Sequence, residues 1–397
     1  MPTVVAQQGH PELADIFRVH GPRLGGLSAQ QRRVIAAITS CRTAALGGHL
    51  RECDRGCGYQ EISYNSCRDR HCPKCQGLAR VRWQEARAKD LLPVPYFHLV
   101  FTIPGSLHDV FLAYPRVAYG LLFEAVEKTV REVAANPKNL GAQIGMTAIL
   151  HTWTQTLLYH PHLHCIVPGG GLDASGDHWI PTRENFFLAV RILSTVFRAK
   201  LLAAFANAVA SGKIAPAIDG GADVSRLLRQ AARRKWVVYC KRPFAGPKQV
   251  LAYLGRYTHR IAISNERIVA MSGDQVTFFY KDRADSDRRK QMTLSAEAFL
   301  RRFLLHVLPA GFVRIRHYGL LANAIRHERI ARCRELLGGA VEAAPPVARE
   351  GWEQLLLRLT GEDVARCPQC GAGRLHTTRG IEPSTGLRRV VERAASP

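Results

Sequence analysis

Acidic residues are scarce in this chain: 32 Asp and Glu stand against 55 Lys and Arg, a formal charge of +23. That deficit points to a polyanionic partner, and long-range attraction to a phosphate backbone is its natural use. An anionic membrane surface would also suit the charge. However, no run of eighteen apolar residues is available to cross a bilayer, and the richest stretch, Phe186 to Ala210, is broken by Arg191, Arg198 and Lys200. The opening residues, Met1 to Gln8, lack a basic stretch followed by an apolar core, so no signal peptide is expected. Repeats and low-complexity segments are missing too. The expectation is a cytoplasmic protein, and 397 residues at 47% hydrophobic content suffice for two or three domains.

Eleven cysteines are present, six of them between Cys41 and Cys75. In a cytosolic chain such clustering signals metal rather than disulfides. Cys53 and Cys57 form one close pair and Cys72 and Cys75 another, the second within Cys-Pro-Lys-Cys. This is zinc-ribbon spacing, in which two tight turns each present two thiolates to a tetrahedral ion. The expected ligands to a structural Zn2+ are therefore Cys53, Cys57, Cys72 and Cys75, with Cys67, His71 and His49 as spare donors. Arg68 and Arg70, among other basic residues, surround the knuckles and are candidates for phosphate contact. Cys367 and Cys370 form a half-motif that one pair cannot close. It either recruits His376 and Cys333 or binds nothing.

Strands and helices alternate irregularly. Tyr96 to Ile103 reads as a strand stopped by Pro104-Gly105, residues 107–135 as helix, and Ile144 to Leu158 as a second strand. A helix is expected from about 185 to 211, a strand over Trp236 to Cys240, and a hairpin around Gly273-Asp274. Neighbouring strands joined by short turns argue for an α+β fold with an antiparallel sheet. The expected division is 1–92, helical with a zinc ribbon; 93–308, a catalytic domain; and 309–397, a basic helical region ending in the Cys-x-x-Cys knuckle.

Two short motifs carry the chemistry. His162 and His164, in His-Pro-His-Leu-His-Cys, fall on one face of an apolar strand, because side chains two apart point the same way. Tyr253 and Tyr257, in Tyr-Leu-Gly-Arg-Tyr, fall one turn apart on a predicted helix. Alone, the first pair reads equally well as histidines packed at a sheet edge, and the second as core aromatics. Together, in so basic a chain, they are the parts needed to cut and rejoin a nucleic-acid strand. A neutral phenol, with a pKa near 10, attacks phosphorus poorly and needs a cation on the scissile phosphate. His162 and His164 could hold Mg2+ or Mn2+ with positions left open for phosphate oxygens. A third ligand is required: Gln155 is the first candidate, on the preceding strand, with His151 and His160 as competitors. A phosphotyrosine bond would conserve the energy of the broken phosphodiester, and a second tyrosine allows a second cut or a reversal. Arg256, His259 and Arg260 lie beside the tyrosines and could hold phosphate.

Ser66-Cys67-Arg68-Asp69-Arg70-His71-Cys72-Pro73-Lys74-Cys75, Phe101-Thr102-Ile103-Pro104, His162-Leu163-His164 and Tyr253-Leu254-Gly255-Arg256-Tyr257-Thr258-His259-Arg260 together resemble bacterial rolling-circle insertion-sequence transposases of the HUH class with an N-terminal zinc domain. The resemblance runs from about residue 10 to 330. It implies a nuclease domain on a five-stranded antiparallel sheet with the histidine pair on a central strand. It also implies divalent metal on His162 and His164, and Tyr253 and Tyr257 as nucleophiles forming 5′-phosphotyrosine links and freeing a 3′-hydroxyl. The implied partner is single-stranded or locally melted DNA at mobile-element ends, with the protein on the nucleoid when bound. Related replication initiators often carry a lysine near the tyrosine, where this chain has Arg256 and Arg260. Two other readings stand beside this one: a replication initiator with the same site, and a zinc-ribbon DNA-binding protein without catalysis.

Overall fold

The computed structural model describes residues 10–384, apart from 219, 245–248, 251–254, 256–261 and 340–349. The N-terminal part runs α1 (Leu13–His20), α2 (Ala29–Ser40), β1 (Gly48–Cys53), β2 (Gln60–Tyr64) and α3 (Gln76–Ala88). The middle runs β3 (Tyr96–Thr102), α4 (His108–Ala113), α5 (Pro115–Ala135), β4 (Gly145–Trp153), β5 (Tyr159–Pro168), β6 (Gly170–Leu172) and β7 (Trp179–Pro181). It continues with α6 (Val190–Ala210), β8 (Ala217–Ile218), β9 (Ala222–Asp223), α7 (Val224–Ala232) and β10 (Val238–Phe244). Beyond the tyrosine motif come β11 (Ile268–Ser272), β12 (Gln275–Asp282), β13 (Arg288–Ser295), α8 (Ala296–Leu304), β14 (Ile315–Gly319), α9 (Arg326–Leu336), α10 (Trp352–Thr360) and β15 (Leu375–Ile381).

The expected α+β class is what the chain adopts. Its largest sheet has five strands in the order β10-β3-β5-β4-β14, all antiparallel, with β5 in the middle. Strand alternation gives this sheet two different faces. Phe97, Leu99 and Phe101 of β3, Leu163, Cys165 and Val167 of β5, and Met146, Ala148 and Leu150 of β4 join the main core. They pack with α5, which presents Leu122, Phe123, Val126 and Val130, and with α6, which presents Leu193, Phe197, Leu201 and Phe205. Each such buried side chain contributes about 1.5–3 kcal/mol. α6 is long and apolar enough to cross a bilayer by length and composition, but one side of it is spent on this core. The opposite face of the sheet carries the histidines.

Breakers shift the element boundaries. The helix expected over 107–135 is interrupted at Tyr114, where the backbone leaves helical geometry (φ −124°, ψ 54°), and restarts with Pro115 at its first position. The strand expected over 144–158 ends at Trp153, and a turn at Gln155-Thr156 leads to β5.

The domain limits need two corrections. β14 lies beyond residue 308 yet forms an edge of the five-stranded sheet. The C-terminal segment is not a separate helical region either, because β15 pairs antiparallel with β1 to make the sheet β15-β1-β2. Arg51 of β1 is buried at the seam. It donates to Glu61 (3.0 Å) on β2, Glu353 (2.8 Å) on α10, and the carbonyl oxygens of Val364 and Leu375.

Candidate active site and metal centres

Register brings four histidines together. On the face opposite α5 and α6, β5 presents His162 and His164, β4 places His151 directly across from His162, and β3 presents His98. The ligand nitrogens of His151, His162 and His164 lie within 4.8 Å of one another. His162 Nδ1 donates to the His160 carbonyl oxygen at 2.6 Å, which leaves its Nε2 lone pair for a ligand. His164 Nδ1 and His98 Nε2 share a hydrogen bond of 2.8 Å, and their rings stack at 5.0 Å. Such a bond to the far nitrogen is how metal-binding imidazoles are ordinarily oriented. Burial pushes His162 down to about 4 and His98 to about 3, and holds His164 well below the ordinary histidine value. All three are therefore neutral near pH 7, the form that binds cations.

Gln155, expected as the third ligand from β4, is not in this cluster. It lies in the turn after β4, where its carbonyl oxygen accepts from Arg267 Nη2 at 2.5 Å, so the strand ends before reaching it. His151, a competitor in the sequence reading, lies in the cluster instead. His98 was missed, because its relation to His164 depends on which strand neighbours β5. Two cations also went unnoticed. Lys241 on β10 pairs with His98 across the ladder, and its charge adds to the lowering of His98. Arg283, on the exposed loop between β12 and β13, adds to the lowering of His160, His162 and His164, in each case behind burial.

Tyr253, Tyr257, Arg256, His259 and Arg260 lie outside the described residues. Their neighbours are informative. Val250 is fully buried in one cluster with Ile149 and Ile166, which share the histidine face, and with Trp83 of α3. Gly255, between the two tyrosines in sequence, is helical and buried against α3: a Cβ there would overlap the Gln84 amide.

The cysteines sort differently from the expected set of Cys53, Cys57, Cys72 and Cys75. One group is Cys41, Cys67, Cys72 and Cys75; the other is Cys53, Cys57, Cys367 and Cys370. The β1–β2 hairpin explains the exchange. Gly48 pairs with Tyr64 at its base, next to Cys41 and Cys67, while Cys53 and Cys57 sit at its tip. Six residues of strand span roughly 17–20 Å, so one ion cannot reach both ends. In the first group Cys75 Sγ lies 3.5 Å from Cys41 and 3.6 Å from Cys67. A tetrahedral ion with Zn–S bonds of about 2.3 Å sets its sulfurs about 3.8 Å apart. Cys75 is held far below the ordinary thiol range by hydrogen bonds from Cys41 and Cys67, and Cys41, bonded to Cys67, falls to about 7. Hydrogen bonds to Cys41 raise Cys67 and Cys72 in turn, so thiolate, the form that binds zinc, is favoured at Cys75 and Cys41 and the other two keep their protons until an ion displaces them.

The spare donors have other partners. His71 Nδ1 donates to Asp69 at 2.9 Å and its Nε2 accepts from the Leu308 backbone at 3.2 Å. Cys333 is buried in another cluster, and His376 lies opposite Glu52 on β15. Arg70, expected to meet phosphate, donates to the Phe312 carbonyl oxygen and ties the zinc loop to the rest of the chain. Arg68 is exposed.

Comparison with known proteins agrees with these features. Residues 145–329 match a family described as "Putative transposase", and residues 14–103 match one described as "Transposase zinc-binding domain". The chain is 48% identical over 390 residues to the "Putative transposase y4qJ" of Sinorhizobium fredii, covering 95% of this chain and 97% of that one. It is 27% identical over 355 residues to the "Transposase for insertion sequence element IS801" of Pseudomonas savastanoi pv. phaseolicola, covering 89% and 85%. No solved structure matches. With its zinc-binding module and its histidine-bearing sheet, the chain belongs to the IS91 family of rolling-circle insertion-sequence transposases.

Proposed function

We propose that this DNA transposase cuts and joins one DNA strand at a time, with Tyr253 and Tyr257 as nucleophiles and His151, His162 and His164 holding a divalent cation. The observation that carries the reading is the imidazole cluster, which shares its sheet face with the cluster containing Val250, three residues before Tyr253. Three imidazoles with open positions fit Mn2+ or Mg2+, the former somewhat better because the donors are nitrogen. Such an ion, when bound, polarises the scissile phosphate.

The rest is done by the chain. One tyrosine oxygen forms a bond to phosphorus as the bond from phosphorus to the 3′ oxygen breaks. The phenolic proton leaves to solvent or a nearby base, and the departing oxygen takes up a proton to become a 3′-hydroxyl. The product is a 5′-phosphotyrosine, and attack by another 3′-hydroxyl reverses the chemistry. His98 keeps His164 oriented, while Lys241 and Arg283 lie close enough to draw the DNA backbone toward the site. The substrate would be single-stranded or locally melted DNA, in which one strand can reach the histidine face without its complement. Cys41, Cys67, Cys72 and Cys75 would hold structural zinc, joining the α1–α2 region to the loop that Arg70 anchors.

A covalent-capture assay tests this reading. Full-length protein is mixed with Mn2+ and labelled single-stranded DNA carrying the element's ends, then run on a denaturing gel. A labelled band at protein mass is expected, lost in Tyr253→Phe/Tyr257→Phe and in His162→Ala. DNA binding without any band in the wild-type protein would favour a DNA-binding role without cleavage.

A further inference from the structure

We propose that Cys53, Cys57, Cys367 and Cys370 bind a second zinc ion that fastens the C-terminal segment to the N-terminal ribbon. The matched zinc-binding domain ends at residue 103, so half of this site lies far outside it. Cys53 Sγ lies 3.7 Å from Cys370 Sγ, and Cys57 Sγ lies 3.6 Å from Cys367 Sγ. These separations match the edge of a thiolate tetrahedron, about 3.8 Å, and exceed the roughly 2.05 Å of a disulfide.

The surroundings are built to hold the sulfurs in place. Cys367 is fully buried and Cys53 nearly so. The Gly373 backbone donates to Cys370 Sγ at 3.2 Å, and a Cβ at Gly373 would overlap Cys53 Sγ. Gln369 Nε2 donates to the Cys57 carbonyl oxygen at 2.9 Å, and the Asp54 backbone donates to the Arg374 carbonyl oxygen at 3.0 Å.

Energetics also calls for an ion. Among the described residues, the apolar cluster around these sulfurs contains only Leu375 and the partly buried Tyr59. So small a core adds little to the β1–β15 pairing and the Arg51 hydrogen bonds in holding a segment that returns from 310 residues away. Zinc coordination by four cysteines, which releases their protons, would add stabilisation at the tip of that pairing. The fastening reaches further inward. α10 is held to β1 through Glu353 and Arg51, and Arg358 of α10 pairs with Glu85 of α3 at 2.8 Å. Glu85 is next to Gln84, the residue against Gly255.

The test is thiolate-bound zinc, released from the full-length protein by an organomercurial and read with a chelating dye. Counting is done in a His162→Ala/His164→Ala background, so that the imidazole site adds nothing. Two equivalents per chain are expected, falling to one in Cys367→Ser/Cys370→Ser and remaining at one when Cys57→Ser is added. A single equivalent in the parent, or two in the double variant, would overturn the proposal. Because the double variant could misfold, X-ray absorption on the zinc-loaded parent provides a second measure: an all-sulfur shell at about 2.3 Å with two zinc per chain supports the site. A shell containing nitrogen or oxygen, averaged over two ions, refutes it.

Discussion

Removal of one imidazole at a time gives a graded test of the metal centre. His151 is one of three clustered imidazoles, His98 is hydrogen-bonded to His164 and is not one of the three, and Gln155 stands in the turn beyond the strand. Loss of an orienting partner typically costs 10–100-fold in metal affinity, which is about 1.4–2.7 kcal/mol. Loss of a ligand must cost more. We therefore expect Mn2+ binding to weaken more than about 100-fold in His151→Gln, about 10–100-fold in His98→Ala, and less than about two-fold in Gln155→Ala. Titration of the free Mn2+ resonance against zinc-loaded protein reads all three on one scale. Circular dichroism verifies that each variant is folded. A Gln155→Ala variant that loses as much affinity as His151→Gln would refute the assignment and restore the glutamine. Equal losses in His151→Gln and His98→Ala would show that the two-layer arrangement is wrong.

Arg283→Gln should have effects of opposite sign on two ligands: Mn2+ affinity rises by up to about two-fold as a nearby positive charge is removed, while DNA binding weakens and its salt slope falls by about one. Parallel titrations decide it, and a loss of Mn2+ affinity would mean that Arg283 helps build the site. Arg51→Met leaves Glu61 and Glu353 without their partner. Their side chains remain 33% and 39% exposed and can rehydrate, so the cost should be about 2–3 kcal/mol in denaturant titrations, below the roughly 3–5 kcal/mol of a wholly buried pair. A change under about 0.5 kcal/mol would contradict this. Acid should also destabilise the protein. Burial lowers His306 and His317 to about 4, so the folded state binds fewer protons than the unfolded one, whose histidines titrate near 6.5. Stability is then full above about pH 6.5 and declines toward pH 4 by up to roughly 3 kcal/mol per group. His306→Gln should flatten this slope in pH-dependent melts, and an unchanged slope would show that His306 does not contribute.

The sequence was most readable where one local rule acted alone. Alternation along β5 was enough to place His162 and His164 on one face, and the apolar residues between them on the other. It was least readable where a contact depended on strand partners. His98 and His151 lie on different strands, and their approach to His164 follows from β3 and β4 flanking β5, which no spacing encodes. The cysteines misled for a similar reason. Nearness in sequence favoured joining Cys53 and Cys57 to Cys72 and Cys75, but the hairpin separates those pairs by its own length. It also brings Cys41 beside Cys67: Arg42 donates to the Asn65 carbonyl oxygen at 3.0 Å. Proline and tight turns at 114–115 and 155–156 cut the predicted elements short, and with them went the argument for Gln155.

The pairing of β1 with β15 also imposes an order on biosynthesis. A ribosome adds roughly 5–20 residues per second, so the 310 residues between Cys57 and Cys367 take roughly 15–60 s to make. Throughout that interval β1 and β2 have emerged, with two cysteines at their tip and no strand on the open side of β1. By residue 319 every strand of the histidine sheet has been made, well before Cys367. Nascent chains can therefore complete the histidine sheet while the ribbon is still open. A chain cut short between these points would keep every strand of the histidine sheet but lack β15 and the second pair of cysteines, so closure of the β15-β1-β2 sheet comes after the histidine sheet in the order of synthesis.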